Sequence, residues 1–135
     1  NGNFYCSKNN LTSLEGCPEY IKGGFDCTFN KLTSLIGGPK YVGDDYMCSN
    51  NELESLDGAP DVAENSFACD HNYLTSFKGA PMTIKGSFVC ANNGLKSLDG
   101  CPTEIYGFFS CIRNPVKFSK DEIMSICKLH GKFYP

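Results

Sequence analysis

Residues 25–32 read Phe-Asp-Cys-Thr-Phe-Asn-Lys-Leu, and variants of this segment recur along the chain of 135 residues. The recurrence is marked by cysteines at a constant spacing of 21 residues, namely Cys6, Cys27, Cys48, Cys69, Cys90 and Cys111. Self-similarity at a fixed period of this length is typical of repeat architectures. The sequence therefore predicts an array of about six units.

Alignment on the cysteines gives the repeat F-x-C-x-x-N-x-L-x-S-L-x-G-x-P-x-x-I-x-G-x. The alternation in F-x-C indicates a short strand with Phe and Cys on its inner face, and the Gly-x-Pro segment indicates a turn. A unit this short cannot bury its own apolar side, so successive units must stack and each column of the repeat becomes a ladder. We therefore expect residues 1–118 to form an α/β-type repeat solenoid whose parallel strands stack about 4.8 Å apart.

A different pattern follows the last repeat. Ser119 and Glu122 have the spacing of a capping box, which predicts a helix over about residues 120–130 that ends at Gly131. Its inner face is expected to hold Ile123, Ile126, Cys127 and His130. Because solenoids need capped ends for solubility, we expect residues 119–135 to be a capping helix and tail.

The other end of the array carries no such pattern. Phe4 and Cys6 are expected to lie on an open coil whose strand edge is unpaired, which favours association. The expectation is that upstream sequence or a partner stacks on this first coil.

The segment at residues 25–32 resembles the L-x-L-x-x-N-x-L core of leucine-rich repeats, with Phe and Cys replacing the strand leucines. The resemblance covers residues 3–116. The short unit with its P-x-x-I return is similar to repeats of bacterial secreted effectors, and N-x-L-T-S-L-x-G-x-P is more similar to small proteins of tailed bacteriophages. The resemblance implies a concave strand face, a turn-rich convex side and a phage-encoded protein.

The chain contains nine cysteines, which raises the possibilities of disulfides and of a metal site. Inward cysteines on successive parallel strands form a line, whereas zinc needs four ligands around one point, and no C-x-x-C pair occurs. Parallel in-register side chains also point the same way and not at each other. Free buried thiols are the favoured interpretation, over disulfides and metal, and they imply a reducing, cytoplasmic location.

One asparagine per unit stands three residues after the cysteine. A polar side chain at each bend is what is needed to bond backbone groups that no strand pairs. We interpret this column as structural, and it consists of Asn9, Asn30, Asn51, Asn72, Asn93 and Asn114.

Several function classes are disfavoured. The net charge of −3 argues against a nucleic-acid binder, and no stretch approaches the roughly 20 apolar residues that span a bilayer. No motif sets His71 or His130 beside a nucleophile. Asp70 and His71 follow a strand, where adjacent residues point to opposite sides, so we do not expect a dyad. We therefore expect no catalysis, no cofactor, no metal, no nucleic acid and no membrane partner.

Recognition is expected at positions that vary from unit to unit and flank the inward columns. Exposed apolar groups mixed with charges there are typical of a protein-binding patch, although scattered surface hydrophobes are also normal. The predicted partner-binding residues are Tyr5, Asp26, Phe29, Met47, Asp70, His71, Phe108, Ile112 and Arg113.

Two functions follow from these expectations. The first is a non-catalytic protein-protein interaction module, phage-encoded, that binds a host or viral protein through the concave strand face. The alternative is a structural component of a virion or other assembly, joined through the uncapped first coil by self-association or by an upstream domain.

Overall fold

A computed structural model describes residues 2–135 as a parallel β-solenoid. The solenoid has about six turns of 21 residues and carries one short helix near its C-terminal end. Its elements in chain order are β1 Phe4–Tyr5, β2 Tyr20–Ile21, β3 Phe25–Asp26, β4 Tyr41–Val42, β5 Tyr46–Met47, β6 Val62–Ala63, β7 Phe67–Ala68, β8 Thr83–Ile84, β9 Phe88–Val89, β10 Glu104–Ile105, β11 Phe109–Ser110, α1 Lys120–Ile126, β12 Lys128–Leu129 and β13 Phe133–Tyr134.

The strands that begin with an aromatic residue form a seven-stranded parallel sheet in the order β1-β3-β5-β7-β9-β11-β13. Each residue pairs with its own column in the next coil, as in Phe4 with Phe25 and Phe67 with Phe88. The register therefore follows directly from the 21-residue period, because a shift by one residue would turn every inward aromatic outward.

The core lies between this sheet and the return segments. The inner aromatics stack along the solenoid, with ring centroids 4.9 Å apart for Tyr46 and Phe67 and 5.2 Å apart for Phe88 and Phe109. The inward cysteines of the second to sixth coils and most repeat leucines are buried beside them. The predicted ladders of inward Phe, Cys and Leu are confirmed.

Tyr46 is the one tyrosine in the buried part of the aromatic column. Its hydroxyl is buried and has no hydrogen-bond partner among residues 2–135. Gly38 makes room for it, since a Cβ at Gly38 would lie 2.9 Å from Leu14 Cδ1 and 3.3 Å from the Tyr46 oxygen.

Tyr46→Phe is expected to raise the free energy of unfolding by about 1 kcal/mol, because it removes an unpaired buried hydroxyl and keeps the ring stack. Guanidinium denaturation measures the change. Tyr134→Phe, at an exposed position of β13, is the control and should change stability by less than about 0.5 kcal/mol. A loss of stability in Tyr46→Phe would show that the hydroxyl is bonded.

The side opposite the seven-stranded sheet also carries strands. β12, β10, β8 and β6 form a four-stranded sheet, and β2 pairs with β4. Outward residues of these strands include Tyr20 and Tyr41, whose rings stack with centroids 4.6 Å apart. This side is therefore a second ladder of short strands, where the sequence led us to expect turns.

The C-terminal helix starts as predicted but is shorter. Ser119 accepts from the Glu122 N–H, and the Glu122 carboxylate accepts from the Ser119 N–H, which confirms the capping box. The helix ends at Ile126, and Cys127 is extended. The prediction of a helix to residue 130 with Ile126 and His130 on its inner face was wrong, since both side chains are exposed.

The cause is that residues 128–134 repeat the return and strand of a coil. Leu129 pairs with Ile105, and Phe133 pairs with Phe109. Gly131 does not end the helix, which stops at Ile126. Gly131 lies against the preceding coil, where a Cβ would come within 2.2 Å of the Gly107 oxygen. Pairing with two existing ladders stabilises this partial seventh coil more than another helical turn would, so the expected tail is part of the solenoid.

His130 lies on the outer surface of this last coil. Its ring stacks on Tyr106 with centroids 4.6 Å apart, and its Nε2 lies 2.9 Å from a Glu104 carboxylate oxygen. Hydrogen bonds from His130 and Lys128 hold the pKa of Glu104 below its ordinary value. These contacts tie β12 to β10 and give His130 a structural role. No helix within residues 2–135 has the length and apolar character needed to cross a bilayer.

Candidate functional site

The asparagine column bends the chain at the end of each strand of the seven-stranded sheet. The Nδ2 of Asn51 donates to the carbonyl oxygens of Cys27 and Cys48, and its Oδ1 accepts from the Leu32 N–H at 3.0 Å. The same pattern recurs at Asn72. Each asparagine after the first coil therefore joins two coils, and the structural interpretation of this column is confirmed.

The residue just before each asparagine is held in the left-handed backbone region, with φ between 51° and 57°. We call this column the bend row, and it consists of Lys8, Phe29, Asn50, His71, Asn92 and Arg113. Asparagine and histidine occur in this conformation more often than other L-residues, which lose about 1 kcal/mol each there. Three of the six coils therefore carry a residue that the backbone disfavours, namely Lys8, Phe29 and Arg113.

The bend row lies on the surface, so core packing does not explain these residue types. The Phe29 side chain is 53% exposed. The Lys8 ammonium lies 6.0 Å from the centroid of the Phe29 ring, a cation–π distance. Because adjacent coils stack about 4.8 Å apart, the row presents side chains at regular intervals along the solenoid.

Asp70 and His71 do contact each other, contrary to expectation. The positive φ of His71 turns its ring back toward the carboxylate, and Nδ1 lies 2.8 Å from Asp70 Oδ2. The other Asp70 oxygen accepts from the Ser49 hydroxyl at 2.5 Å. The serine therefore bonds the carboxylate and not the imidazole, so this trio lacks the nucleophile-to-base contact that acyl transfer requires.

The predicted residues on the strands themselves are partly exposed. Tyr5 and Met47 are exposed on the outer face of the seven-stranded sheet, at 68% and 39%. Asp26 is half-buried, and its carboxylate accepts from the backbone N–H and the hydroxyl of Thr28. Asp26 thus stabilises its own bend as well as facing outward.

The remaining predicted residues lie toward the C-terminal end. Phe108 is 40% exposed and packs edge-on against Tyr134, with centroids 5.8 Å apart. Ile112 and Arg113 are exposed on the sixth coil. Some small residues in the same columns are buried, contrary to the expectation that the flanking positions all face solvent, namely Ser49, Ala91 and Ser110.

The corner before each strand holds a further polar ladder that was not anticipated. The side-chain oxygens of Asp45, Ser66 and Ser87 each accept from the backbone N–H of the corresponding residue in the next coil. Asn3 does the same for Gly24. The signal in the sequence is a polar residue directly before the aromatic column, and its role is structural.

The cysteines are all free within the described chain, and no cluster of potential metal ligands occurs among residues 2–135. Burial raises the pKa of Cys6 to about 11, and full enclosure raises the pKa of Cys69 well above its ordinary value. Three thiols are incompletely buried, namely Cys6, Cys17 and Cys101.

These differences predict the pattern of thiol labelling. In the native protein, iodoacetamide is expected to modify Cys6 and Cys17, and peptide mass spectrometry should find the buried cysteines unmodified. Cys101 should react more slowly than either, because a hydrogen bond with Cys127 and burial raise its pKa. At pH 8 Cys6 should react about 100-fold more slowly than an unperturbed thiol, since its thiolate fraction falls with the raised pKa. Labelling in guanidinium is the control and should reach all sites. Rapid native labelling of Cys69 would contradict the buried ladder.

Comparison of the chain with protein-family models, curated proteins and solved structures finds no match. The strand pairing and the helix define the class of the protein, which is a parallel β-solenoid with a C-terminal helix.

Proposed function

We propose that the protein is a non-catalytic protein-binding module. Its binding surface comprises the bend row and the outward residues of the seven-stranded sheet, which together we call the strand-face surface. The residues assigned to contact are Tyr5, Asp26, Phe29, Met47, Asp70, His71, Phe108, Ile112 and Arg113. The observation that carries the proposal is Phe29, a large aromatic residue in a disfavoured backbone conformation with half of its side chain exposed.

A left-handed phenylalanine destabilises the fold relative to asparagine, which Asn50 and Asn92 show is compatible with the same position. Strained, exposed residues of this kind are typical of functional sites. Exposed aromatic and apolar side chains interleaved with Asp70 and Arg113 have the composition of a protein-protein interface.

We further propose that the repeat is a short form of the leucine-rich repeat, and that the protein is phage-encoded and acts in a reducing cytoplasm on a host or viral protein. The F-x-C-x-x-N-x-L segment, the asparagine ladder and the parallel strand stack support the first part. The repeat sequence N-x-L-T-S-L-x-G-x-P supports the proposed phage origin, and the nine free cysteines support a reducing cytoplasm.

Phe29→Asn tests the binding surface. The variant is expected to gain about 0.5 to 1 kcal/mol in stability because the strain is relieved, and to lose partner capture from host lysate at the same time. Capture is measured by affinity purification with quantitative mass spectrometry, and stability by denaturation.

Tyr20→Asn is the matched control, since it also removes an exposed aromatic ring but lies on the opposite ladder. It should leave capture unchanged. Equal capture by the native chain and Phe29→Asn would rule out this surface, and loss of capture only in Tyr20→Asn would move the site to the other side.

A second candidate function is a component of an assembly joined through the first coil. The observation that favours it is the partial exposure of Phe4, Cys6 and Leu11, whose counterparts in the next coil are buried. Such a joint lies at the end of the solenoid and uses different chemistry from the strand-face surface.

A further inference from the structure

Two cysteines meet where the C-terminal helix returns to the solenoid. Cys127 is the C-cap of α1, and β12 begins at the next residue. Cys101 lies in the corner that precedes β10, the strand with which β12 pairs. The Lys128 N–H donates to the Thr103 oxygen at 2.8 Å, which holds the end of the helix against this corner. The side chains of Cys101 and Cys127 are hydrogen-bonded to each other there.

The inward cysteines of the strand ladder are bonded differently. The thiols of Cys27, Cys48 and Cys90 donate to backbone oxygens of the next coil at 3.3 to 3.4 Å. Within residues 2–135, Cys101 and Cys127 are the one pair of cysteines whose side chains bond each other. The contact does not belong to the repeat, because it forms where α1 replaces part of a coil.

The two sulfur atoms differ in their access to solvent. Cys101 is only partly buried, whereas Cys127 is 2% exposed. A small solute can therefore reach the Cys101 sulfur, and the Cys127 sulfur is shielded from it. Any reaction with such a solute starts at Cys101.

The hydrogen bond between the thiols decides which of them keeps its proton. The bond and burial raise the pKa of Cys101, and the same bond lowers the pKa of Cys127. Burial and the Glu104 carboxylate oppose the change at Cys127, and the Ile105 N–H supports it. The first proton therefore leaves from Cys127, and the Cys101 S–H donates to the resulting thiolate. A base in contact with the proton of an accessible thiol is the arrangement that activates a nucleophile.

We propose that Cys101 and Cys127 form a redox-active pair that a hydroperoxide converts into an intramolecular disulfide. In the first step the Cys101 sulfur attacks a peroxide oxygen, the O–O bond breaks, and the Cys101 proton passes to the Cys127 thiolate. The hydroxide that leaves takes a proton from solvent, and Cys101 becomes a sulfenic acid. In the second step the Cys127 sulfur attacks the Cys101 sulfur, the S–O bond breaks, and the hydroxide leaves with the Cys127 proton as water. Each sulfur loses one electron, and the peroxide takes up both.

The disulfide fastens the end of α1 to the corner of the fifth coil. The two side chains are already in contact, so neither element has to move far for the bond to form. A dithiol reverses the reaction by thiol–disulfide exchange, so the pair stays reduced in a reducing cytoplasm and closes only when peroxide is present. The inference does not depend on the strand-face surface.

Peroxide treatment of the reduced 135-residue chain tests the proposal. A slight molar excess of hydrogen peroxide is expected to lower the intact mass by that of two hydrogen atoms. Digestion after blocking with N-ethylmaleimide should give two peptides linked through Cys101 and Cys127, and dithiothreitol should restore the original mass. The oxidised protein should also unfold at a higher guanidinium concentration, because the new bond closes a loop in the unfolded chain.

Cys101→Ala is the variant that removes the pair, and the repeat itself shows that alanine fits. Ala59 and Ala80 occupy the same corner position in earlier coils. The variant is expected to fold and to lose the disulfide completely. Cys17→Ala is the matched control, since it removes the first-coil cysteine of the same column and should form the disulfide as the native chain does. Circular dichroism shows that both variants are folded.

Cys127→Ser separates the two steps. Cys101 then has no second thiol to attack it, so it should lose the link to residue 127 and be trapped by dimedone as a sulfenic acid. The proposal is overturned if peroxide oxidises Cys6 or Cys17 in the folded native chain and leaves Cys101 and Cys127 as thiols. It is also overturned if Cys101 links only to another chain, or if folded Cys101→Ala still loses two hydrogen atoms.

Discussion

Asn72→Ala is expected to lower the free energy of unfolding by about 2 to 3 kcal/mol, because it removes three hydrogen bonds and leaves the buried Leu53 N–H without an acceptor, which costs about 1 to 3 kcal/mol by itself. The Asn72 Oδ1 accepts from the Leu53 N–H at 2.9 Å, and Nδ2 donates at 3.1 Å to the carbonyl oxygens of Cys48 and Cys69. These two oxygens keep a second donor in Asn51 and Asn93. The side chain is 5% exposed, so water cannot readily replace it. Guanidinium denaturation followed by circular dichroism measures the change.

Asn9→Ala is the matched control. Asn9 occupies the same column, but it is exposed and donates only to the Cys6 and Ser7 oxygens of its own coil. We expect a loss below about 1 kcal/mol, because water reaches these groups. Similar losses in the two variants would show that local bend formation, and not the bridge between coils, explains the asparagine column.

Gly58→Ala is expected to destabilise the protein by about 4 kcal/mol through backbone strain and steric overlap together. Gly58 has φ of 101°, and a Cβ would lie 2.3 Å from both the Ile36 nitrogen and the Leu35 carbonyl carbon. These are backbone atoms of the preceding coil, so the clash cannot be relieved by rotating a side chain. The two coils would have to separate locally.

Gly16→Ala isolates the conformational part of this effect. Gly16 has φ of 85° in the same column, but a Cβ there would meet no atom within 4 Å, because this glycine is in the first coil. The expected loss is about 1 kcal/mol, from strain alone. Equal losses at the two glycines would mean that the coils are packed less closely at Gly58 than the structure shows.

The sequence was most informative where one residue type serves the same role in every coil. The cysteine spacing defined the period, and the inward Phe, Cys and Leu columns followed from alternation in a repeat too short to fold alone. Stacking in register then requires each column to pack on itself, as Phe67 does on Phe88. The asparagine ladder could be predicted for the same reason, because a bend that recurs needs the same hydrogen bonds each time.

The errors occurred where one segment departs from the repeat. The pattern after Ser119 favoured a helix up to residue 130, but Leu129 and Phe133 pair with strands that only the folded solenoid presents. Helical periodicity in residues 123–130 and the return motif in residues 128–134 overlap, and local sequence cannot rank them. The decision depends on the edges of β10 and β11, which exist only after folding.

For the candidate site, the chain by itself determined which residues vary on the outer side of the strands, since the ladder columns are committed to packing. The tertiary structure decided how those residues are held. His71 contacts Asp70, and Phe29 stands exposed at a left-handed bend, because the asparagine bridges between coils impose that backbone conformation. A conformation imposed by the neighbouring coil is a property of the stack, so no single repeat reveals it.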